Sequence, residues 1–548
     1  MAPMDSNEIE KGNPEYSAHS DPASEDAKDI SDVELAEIRT VKQGLHQRHI
    51  QMIALAGTIG TGLFLGSGRN LSESGPLGAL LGYTIVGVAV SPVVMGVGEM
   101  GALIPLSGGV IRYVEYFVDP ALAFADGWNL VYAHLVGIPA EIVAASVLVQ
   151  FWVQVNNAVW ITVFGVLMLI TGISFVRIYG ELEFFFSLLK ILLIVGINLM
   201  ALVITCGGGQ NHEPIGFRYW HHPGPFVQYL GVSGPWGRFL GFWAMLATAP
   251  YAYAGIEFIT VAAAETRNPR TAIPQAARRV FWRILLFYVI TIFMIGLIVP
   301  SNDPALTAKG AKATAKSPFV IAATRAGAKA VPSIVNTVVI SSAWSAGNSA
   351  LLSGSRILFG LAQHGHAPRV FLRLNRFGVP WVGVALIGVF MALGFMSLDS
   401  TAYEVFTWLQ DLISIATLVN WIIISITYLR FFYGCRAQGV NRQLELPWAA
   451  PFQPYSTWVS LCLFIVLLLT GGFTVFMKGH WNVQTFIGKY LEIPVIILLF
   501  FGYKFLKKTR IEPLTELPIR RFITLYQQEP VPEVKKKRGL QKLNVLWG

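Results

Sequence analysis

Charged side chains are scarce in this chain of 548 residues: they make up 13% of the sequence, whereas hydrophobic residues make up 54%. Soluble proteins carry about 25% charged residues. A globular domain of this length does not bury so much apolar surface, but a lipid bilayer accommodates it. The composition therefore argues against a soluble enzyme and predicts a polytopic membrane protein.

Cysteine is also rare. Cys206, Cys435 and Cys462 are widely spaced and odd in number, so we expect neither a disulfide framework nor a metal site. No spacing of nucleophile and base suggests an enzyme, and no cofactor is indicated. The N-terminus lacks a basic stretch followed by an apolar one, which argues against a cleavable signal peptide.

The charges that are present are unevenly distributed along the chain. Eleven of the 32 acidic residues fall within the first 40 positions, and basic residues cluster in the last 45. The net charge of +9 does not predict a nucleic-acid partner, because the basic residues adjoin hydrophobic segments, as they do in cytoplasmic loops. We predict a disordered cytoplasmic tail over 1–44, a transporter domain over 45–507 and a second cytoplasmic tail over 508–548.

Twelve apolar segments are long enough to predict transmembrane helices. They begin near positions 49, 78, 122, 158, 183, 239, 281, 331, 381, 403, 455 and 485. An even number places both termini on one side of the membrane. Lys and Arg residues concentrate before the first span, between the sixth and seventh, and after the eighth and twelfth, so we predict that both termini are cytoplasmic.

Two of the predicted spans are interrupted. The first contains Ala56–Gly62, with three glycines in seven residues, and the sixth contains Ala249–Glu257, with a proline, a glycine and a carboxylate. Breaks at matching places, five spans apart, are typical of inverted-repeat transporters. The alternative is that the glycines serve only close helix packing.

A broken helix offers polar backbone groups inside the membrane. The start of a half-helix presents free N–H groups and the positive end of the helix dipole, which suit a carboxylate. Unwound carbonyls in the sixth span would accept hydrogen bonds from an ammonium group. On these grounds the ligand is a zwitterion or another small polar solute.

Several longer motifs narrow this choice. The stretch Gly44–Leu55 with Gly57–Phe64, and the stretches Pro139–Ser146, Gly180–Phe184, Glu265–Arg270 and Ser342–Ser349, resemble the fungal amino-acid permeases. These form the yeast amino acid transporter family of the amino acid–polyamine–organocation superfamily. The resemblance covers about 40–510. Ile104–Gly109 with Asp119–Leu122 is most similar to the proline and neutral amino-acid branch.

The resemblance implies an all-α fold of twelve transmembrane helices: two inverted five-helix repeats, with helices 1 and 6 broken, and two C-terminal helices. It also implies proton-coupled amino-acid uptake at the plasma membrane. The substrate carboxylate site would lie at Gly60, Thr61 and Gly62, with the Thr58 carbonyl turned toward the amine. Tyr251 or Tyr253 would be the aromatic lid, and the carbonyls of Tyr251 and Ala254 would face the amine.

Ionisable groups inside predicted spans are functional candidates, because a charge at the bilayer centre costs at least about 2.5 kcal/mol. Glu141 could load and release a proton, or could make a structural hydrogen bond. Lys190 resembles a fifth-span lysine of proton-driven relatives, although its long stem could also reach the interface. Glu257 could couple proton or substrate to helix tilt, or could be a strut paired with a loop arginine. Glu99 is expected to be structural.

These observations predict a secondary active transporter that takes up amino acids with protons by alternating access. The alternative is an amino-acid sensor with a transporter fold and little transport. The further pocket candidates Ser345, Asn348 and Thr417 carry no charge, which favours neutral substrates, including proline. The expected partners are the substrate, protons, the lipid bilayer and, at tail lysines such as Lys11 and Lys28, ubiquitin-ligase adaptors.

Overall fold

The computed structural model describes residues 59–106, 109–174, 176–209, 212–257, 269–307, 317–398 and 400–528. Within these ranges the regular structure is helical, and no strand is present. Thr58, Lys11 and Lys28 lie outside the described residues.

The helices of eight or more residues are numbered in chain order. They are α1 (Ser67–Leu103), α2 (Val110–Phe117), α3 (Pro120–Val149), α4 (Asn157–Ser174), α5 (Val176–Thr205), α6 (Gly234–Thr248), α7 (Pro269–Arg283), α8 (Ile290–Ile298), α9 (Pro318–Arg325), α10 (Val331–Gln363), α11 (Trp381–Phe390), α12 (Ala402–Ala437), α13 (Tyr455–Thr470), α14 (Val483–Tyr490), α15 (Glu492–Lys507) and α16 (Ile519–Gln528).

The remaining helical elements, which are π-helical, 3₁₀ or shorter than eight residues, are not numbered. They are the π-helical turns Gly62–Gly66 and Ile284–Val289, the 3₁₀ turns Tyr229–Gly231, Arg369–Leu372, Met391–Leu398 and Phe473–Phe476, and the α-helical turns Arg218–His221, Pro250–Tyr253, Pro304–Thr307 and Arg442–Glu445.

Eight helical stretches among the described residues are long and apolar enough to cross a membrane. They are Gly62–Leu103, Pro120–Val149, Leu182–Thr205, Pro269–Ile298, Trp381–Leu398, Ala402–Ala437, Tyr455–Phe476 and Val483–Lys507. The predicted spans near 158, 239 and 331 fall on α4, α6 and α10, which lie outside this set. The chain is therefore an all-helical, multi-pass membrane protein, and the count of twelve spans stays a prediction.

Both predicted interruptions fall where helical structure is broken. Ile59 and Gly60 are not helical, and a π-helical turn then leads into α1. In the second break the turn Pro250–Tyr253 ends at Ala254, whose backbone has left the helical region with ψ at 136°. Gly255 follows with a φ of 78°, a left-handed conformation that glycine adopts without steric cost.

Helix α1 contains a second kink. Gly75 has a φ of 78° and precedes Pro76, so the 37-residue helix is two helical pieces rather than one straight rod. A Cβ atom on Gly75 would lie 2.6 Å from the carbonyl oxygen of Pro225, which shows how closely the loop after α5 packs on this kink. The predicted first and second spans meet near this point.

Helix α3 occupies the centre of the helical bundle. Its most extensive contacts are with α10 and α12, and most of its residues are buried. Asp119 caps its start by accepting a hydrogen bond from the backbone N–H of Ala121. Because α3 is flanked on two sides, polar groups along its length face other helices rather than lipid.

The predicted C-terminal tail includes a packed helix. In α16, Ile519, Phe522 and Ile523 are buried. The ring of Phe522 lies against those of Tyr116 and Phe117 in α2, at centroid distances of 5.4 and 6.4 Å. Residues up to the end of α16 therefore belong to the packed body of the protein.

Candidate functional site

The two helix breaks meet at a line of hydrogen-bonded side chains. The Thr61 hydroxyl lies 3.0 Å from the Tyr251 hydroxyl, and the Tyr251 hydroxyl donates to Glu141 Oε1 over 3.4 Å. When Tyr251 donates to the carboxylate, its oxygen accepts from Thr61. One residue from each break and one from α3 are thus joined, with Thr61 and Tyr251 both buried.

Glycine is required for this close approach. A Cβ atom on Gly60 would lie 2.6 Å from Glu141 Oε1, and one on Gly62 would lie 2.9 Å from the Cα atom of Ala252. A Cβ atom on Gly62 would displace the backbone of the second break, whereas one on Gly60 would displace the Glu141 carboxylate. The missing side chains at Gly60 and Gly62 therefore let the first break contact both α3 and the second break.

A buried ion pair lies beside this line. Lys190 Nζ is 3.8 Å from Glu183 Oε1, and both side chains are 1% exposed. Lys190 also donates to the Ser345 hydroxyl at 3.2 Å, and Ser345 donates to Glu183 Oε2 at 2.7 Å. The amine is thus held inside the bundle, paired with a carboxylate, rather than extended to the membrane interface.

Helix α10 connects the ion pair with Glu141. Ala346, next to Ser345, faces Gly60, and a Cβ atom on Gly347 would lie 3.8 Å from the Cβ atom of Glu141. The charge of Lys190 also acts on Glu141. Glu141, Glu183 and Lys190 therefore form one electrostatic unit around the first break.

Tyr253 lies away from this unit. Its hydroxyl donates to the Tyr83 carbonyl at 2.8 Å, and its ring stacks on that of Tyr288 at a centroid distance of 4.4 Å. Ala254 is partly buried, and its N–H donates to the Tyr251 carbonyl over 3.3 Å. Of the two candidate lids, only Tyr251 lies with Thr61 and Glu141.

Glu257 follows the second break and faces α12. Asn420 Nδ2 donates to Glu257 Oε1 at 2.6 Å, and Trp421 Nε1 donates to Oε2 at 3.2 Å. The carboxylate is 2% exposed. These contacts join the end of the second break to the middle of α12 and do not bring Glu257 to Glu141.

The other candidates use their polar groups within the protein. Asn348 accepts from Thr171 and donates to the Trp344 carbonyl, and Thr417 donates to the Ile413 carbonyl. Glu99 accepts hydrogen bonds from Arg442, Tyr428 and the Ala450 N–H, which agrees with a structural role.

Glu183 is a charged group that the sequence reasoning did not single out as a site residue. It lies seven residues before Lys190, which places both side chains on one helical face two turns apart. That spacing could have identified the pair. In the described residues no group of three or more His, Cys, Asp or Glu side chains could hold a metal ion.

Comparison with known proteins identifies the family of the chain. A family model described as "Amino acid permease" matches residues 49–515. The Saccharomyces cerevisiae proline-specific permease is 37% identical over 484 residues, which cover 86% of this chain and 77% of that protein. The dicarboxylic amino acid permease of the same yeast is 36% identical over 495 residues, or 89% and 81%.

Among solved structures, a manganese transporter from Eremococcus coleocola shares the fold, with a TM-score of 0.55 over 88% of this chain and 95% of that one. At 12% identity the likeness concerns the fold alone. The family match and the two yeast relatives confirm the resemblance seen in the sequence motifs. The chain belongs to the amino acid permease family.

Proposed function

We propose that this protein carries neutral amino acids, proline among them, into the cell together with protons by alternating access. The observation that carries the proposal is the hydrogen-bonded line from Thr61 through Tyr251 to Glu141, at the junction of two helix breaks. Thr61, a candidate contact of the substrate, and Glu141, a candidate proton carrier, therefore meet the same side chain, that of Tyr251.

The substrate carboxylate would bind at the first break. The helical turn that begins at Gly62 directs its N–H groups and the positive end of its dipole toward the break, which favours an anion. The Tyr251 carbonyl accepts one hydrogen bond from Ala254, and a carbonyl oxygen has a second lone pair for an amine. The Tyr251 ring would cover the bound molecule.

The proton would be carried by Glu141. The neighbouring Lys190 would either keep its proton throughout the cycle or exchange it. Glu183 already balances the Lys190 amine, so the ionisation of Glu141 decides the net charge of the unit. A protonated Glu141 is a weaker acceptor for the Tyr251 hydroxyl than a carboxylate is. Loading of the proton would therefore loosen Tyr251 and both breaks that it joins.

The neutral specificity rests on the chemistry of the pocket. Two relatives described as transporters of different amino acids are almost equally similar, so identity alone does not select the substrate. Thr61 and Tyr251 offer hydroxyl groups, and Glu141 meets Tyr251 through Oε1 and is the proposed proton carrier rather than a fixed charge. Lys190, the basic group whose charge acts on Glu141, is already paired with Glu183, so a second substrate carboxylate would have to compete with Glu183 for it.

Alternating access would use two sets of contacts on α1. Arg69 pairs with Asp411 of α12 at 3.0 Å, and Glu99, thirty positions later in α1, pairs with Arg442 at 2.6 Å. Opening either end would require its ion pair to separate. The proposed architecture is twelve spans in two inverted five-helix repeats plus two helices, in the plasma membrane, with both termini cytoplasmic.

Uptake of labelled proline tests the proposal. Fungal cells that lack their own permeases would express the full chain, and uptake would be measured at pH 5 with and without a protonophore. We expect uptake that the protonophore abolishes. Uptake that survives the protonophore would indicate exchange or facilitated diffusion. No uptake of any amino acid, with normal amounts at the cell surface, would support a sensor instead.

A further inference from the structure

A second group of buried polar side chains lies between α3, α12 and the end of the second break. Its central member is Asp126, which is 0% exposed. In the described part of the chain, neither carboxylate oxygen of Asp126 accepts a hydrogen bond of good geometry, and the polar side chain that interacts with the carboxylate is that of Asn129. A buried carboxylate left without donors or a counter-charge is strongly unfavourable, so this position calls for a positively charged partner.

Two asparagines, one on α3 near Asp126 and one on α12, each leave an amide oxygen without a donor. Asn129, one turn along α3, donates through Nδ2 to the Ala416 carbonyl at 3.1 Å, and its Oδ1 atom has no donor within the described residues. Asn420, one turn after Ala416 in α12, donates to Glu257, and its Oδ1 atom likewise accepts nothing there. Four buried oxygens, two of Asp126 and one of each asparagine, therefore have no hydrogen-bond donor of good geometry within the described residues.

Among the described residues, the charged side chain that acts on Asp126 has the same sign as Asp126. Glu257 acts on Asp126 electrostatically, and like charges repel. Two basic side chains on neighbouring elements already pair with other carboxylates: Lys504 of α15 with Asp119, and Arg442 with Glu99. Arg356 of α10 is exposed. His366 packs on Phe124. In α12 no charged residue lies between Asp411 and Arg430.

Buried oxygen atoms that accept no hydrogen bond, on two helices in contact with each other and beside a carboxylate without a cationic partner, suit a small cation. We propose that Asp126, Asn129 and Asn420, with Glu257 beside them, form a second buried site for one monovalent cation, either a proton or an alkali-metal ion. Glu257 is held by Asn420 and Trp421, so the occupied site would fasten the second break to α3 and α12.

This site is separate from the Glu141 unit. Asp126 and Glu141 lie fifteen positions apart on α3, which is about 22 Å at the 1.5 Å rise per residue of an α-helix. The role in coupling rests on the transport function proposed above, whereas the binding of a cation does not. The two claims can therefore fail independently.

Infrared spectroscopy of the purified full chain tests the binding. Spectra would be recorded across pH in choline chloride, and then with sodium or potassium chloride at equal ionic strength. We expect either an aspartic-acid C=O band at neutral pH or a carboxylate band that shifts with the alkali-metal ion. Either signal should disappear in Asp126→Asn and persist in Asp303→Asn, a matched change at a carboxylate that pairs with Arg325.

If Asp126→Asn fails to fold, labelling wild-type protein with ¹³C-aspartate identifies the aspartate bands by their isotope shift, without a variant. Asp119, Asp303 and Asp411 all pair with cationic side chains, so they are not expected to give an acid band. Wild-type spectra without either signal would overturn the site.

The coupling role is tested in proteoliposomes. Asp126→Asn should lower the charge that moves with each proline by one, and an unchanged ratio of charge to proline would refute the coupling role.

Discussion

The hydroxyl groups of Thr61 and Tyr251 lie 3.0 Å apart, although 190 positions separate the two residues in the chain. Each belongs to one of the two helix breaks, and Tyr251 also donates to Glu141. A change in the protonation of one carboxylate in α3 can therefore act on both breaks through a single side chain. This arrangement is the structural basis for the coupling that we propose.

Tyr251→Phe removes the shared hydroxyl but keeps the ring. A typical hydrogen bond contributes about 0.5–1.5 kcal/mol, so we expect the half-saturation concentration for proline to rise roughly 2- to 10-fold. Concentration-dependent uptake of labelled proline, corrected for the amount of protein at the surface, measures this change.

Tyr253→Phe is the matched control, since the Tyr253 hydroxyl donates to the Tyr83 carbonyl instead. It should lower thermal stability and leave the half-saturation concentration within about twofold of wild type, because the lost bond lies outside the proposed site. A larger effect on proline affinity from Tyr253→Phe than from Tyr251→Phe would assign the lid to Tyr253.

Gly62→Ala should abolish transport. The added Cβ atom would lie 2.9 Å from the Cα atom of Ala252 and 3.1 Å from the Tyr251 ring, and the backbone of a packed break has little room to move. We expect proline uptake to fall at least about tenfold with normal surface expression, given that small shifts at a site are costly.

Gly196→Ala serves as its control, because nothing lies within 4 Å of the Cβ position at this helical glycine in α5. Alanine also favours a helix by about 1 kcal/mol over glycine. Uptake by this variant should match wild type. Full activity in Gly62→Ala would show that the two breaks need not touch.

Glu99→Gln should destabilise the protein without a direct effect on substrate recognition. Glu99 is fully buried and accepts hydrogen bonds from Arg442, Tyr428 and the Ala450 N–H. Removing one partner of a buried ion pair costs about 3 kcal/mol, so the apparent melting temperature of the purified protein should fall clearly.

Glu213→Gln provides the comparison for this measurement. Its pairing with Arg218 is exposed, and surface pairs contribute about 0–1 kcal/mol. The melting temperature should hardly change. Equal melting temperatures for Glu99→Gln and wild type would mean that the Glu99 contacts do not stabilise the bundle.

Competition between substrates tests the neutral specificity. An excess of unlabelled alanine or glycine should reduce uptake of labelled proline, whereas arginine should not, because Glu141, the carboxylate that meets Tyr251, is the proposed proton carrier rather than a fixed negative charge. The order of competition is measured in the same cells that report proline uptake. Inhibition by arginine but not by alanine or glycine would contradict the assignment.

Much of the fold could be predicted from the sequence because its signals are local. Apolar runs of sufficient length predict the helices, and the glycine and proline clusters at Gly60–Gly62 and Pro250–Gly255 predict the breaks. The π-helical turn after Gly62 and the kink at Gly75 could not be placed in this way, since both depend on contacts with distant segments.

Parts of the site depend on helix rotation, which the sequence does not encode locally. Tyr251 and Tyr253 are about 200° apart on a regular helix, so a small change in the unwinding of the break decides which of them faces Glu141. Asp126 escaped notice for a related reason: its significance lies in two asparagine oxygens, one of them nearly 300 positions later in α12.

Proton movement driven by proline tests the central claim most directly. The purified chain would be reconstituted into liposomes that contain a pH-sensitive dye, and a proline gradient would be applied without a pH gradient. We predict that the lumen acidifies as proline enters, and that Glu141→Gln removes the acidification while proline still binds. Proline entry without any acidification of the wild-type vesicles would contradict proton coupling.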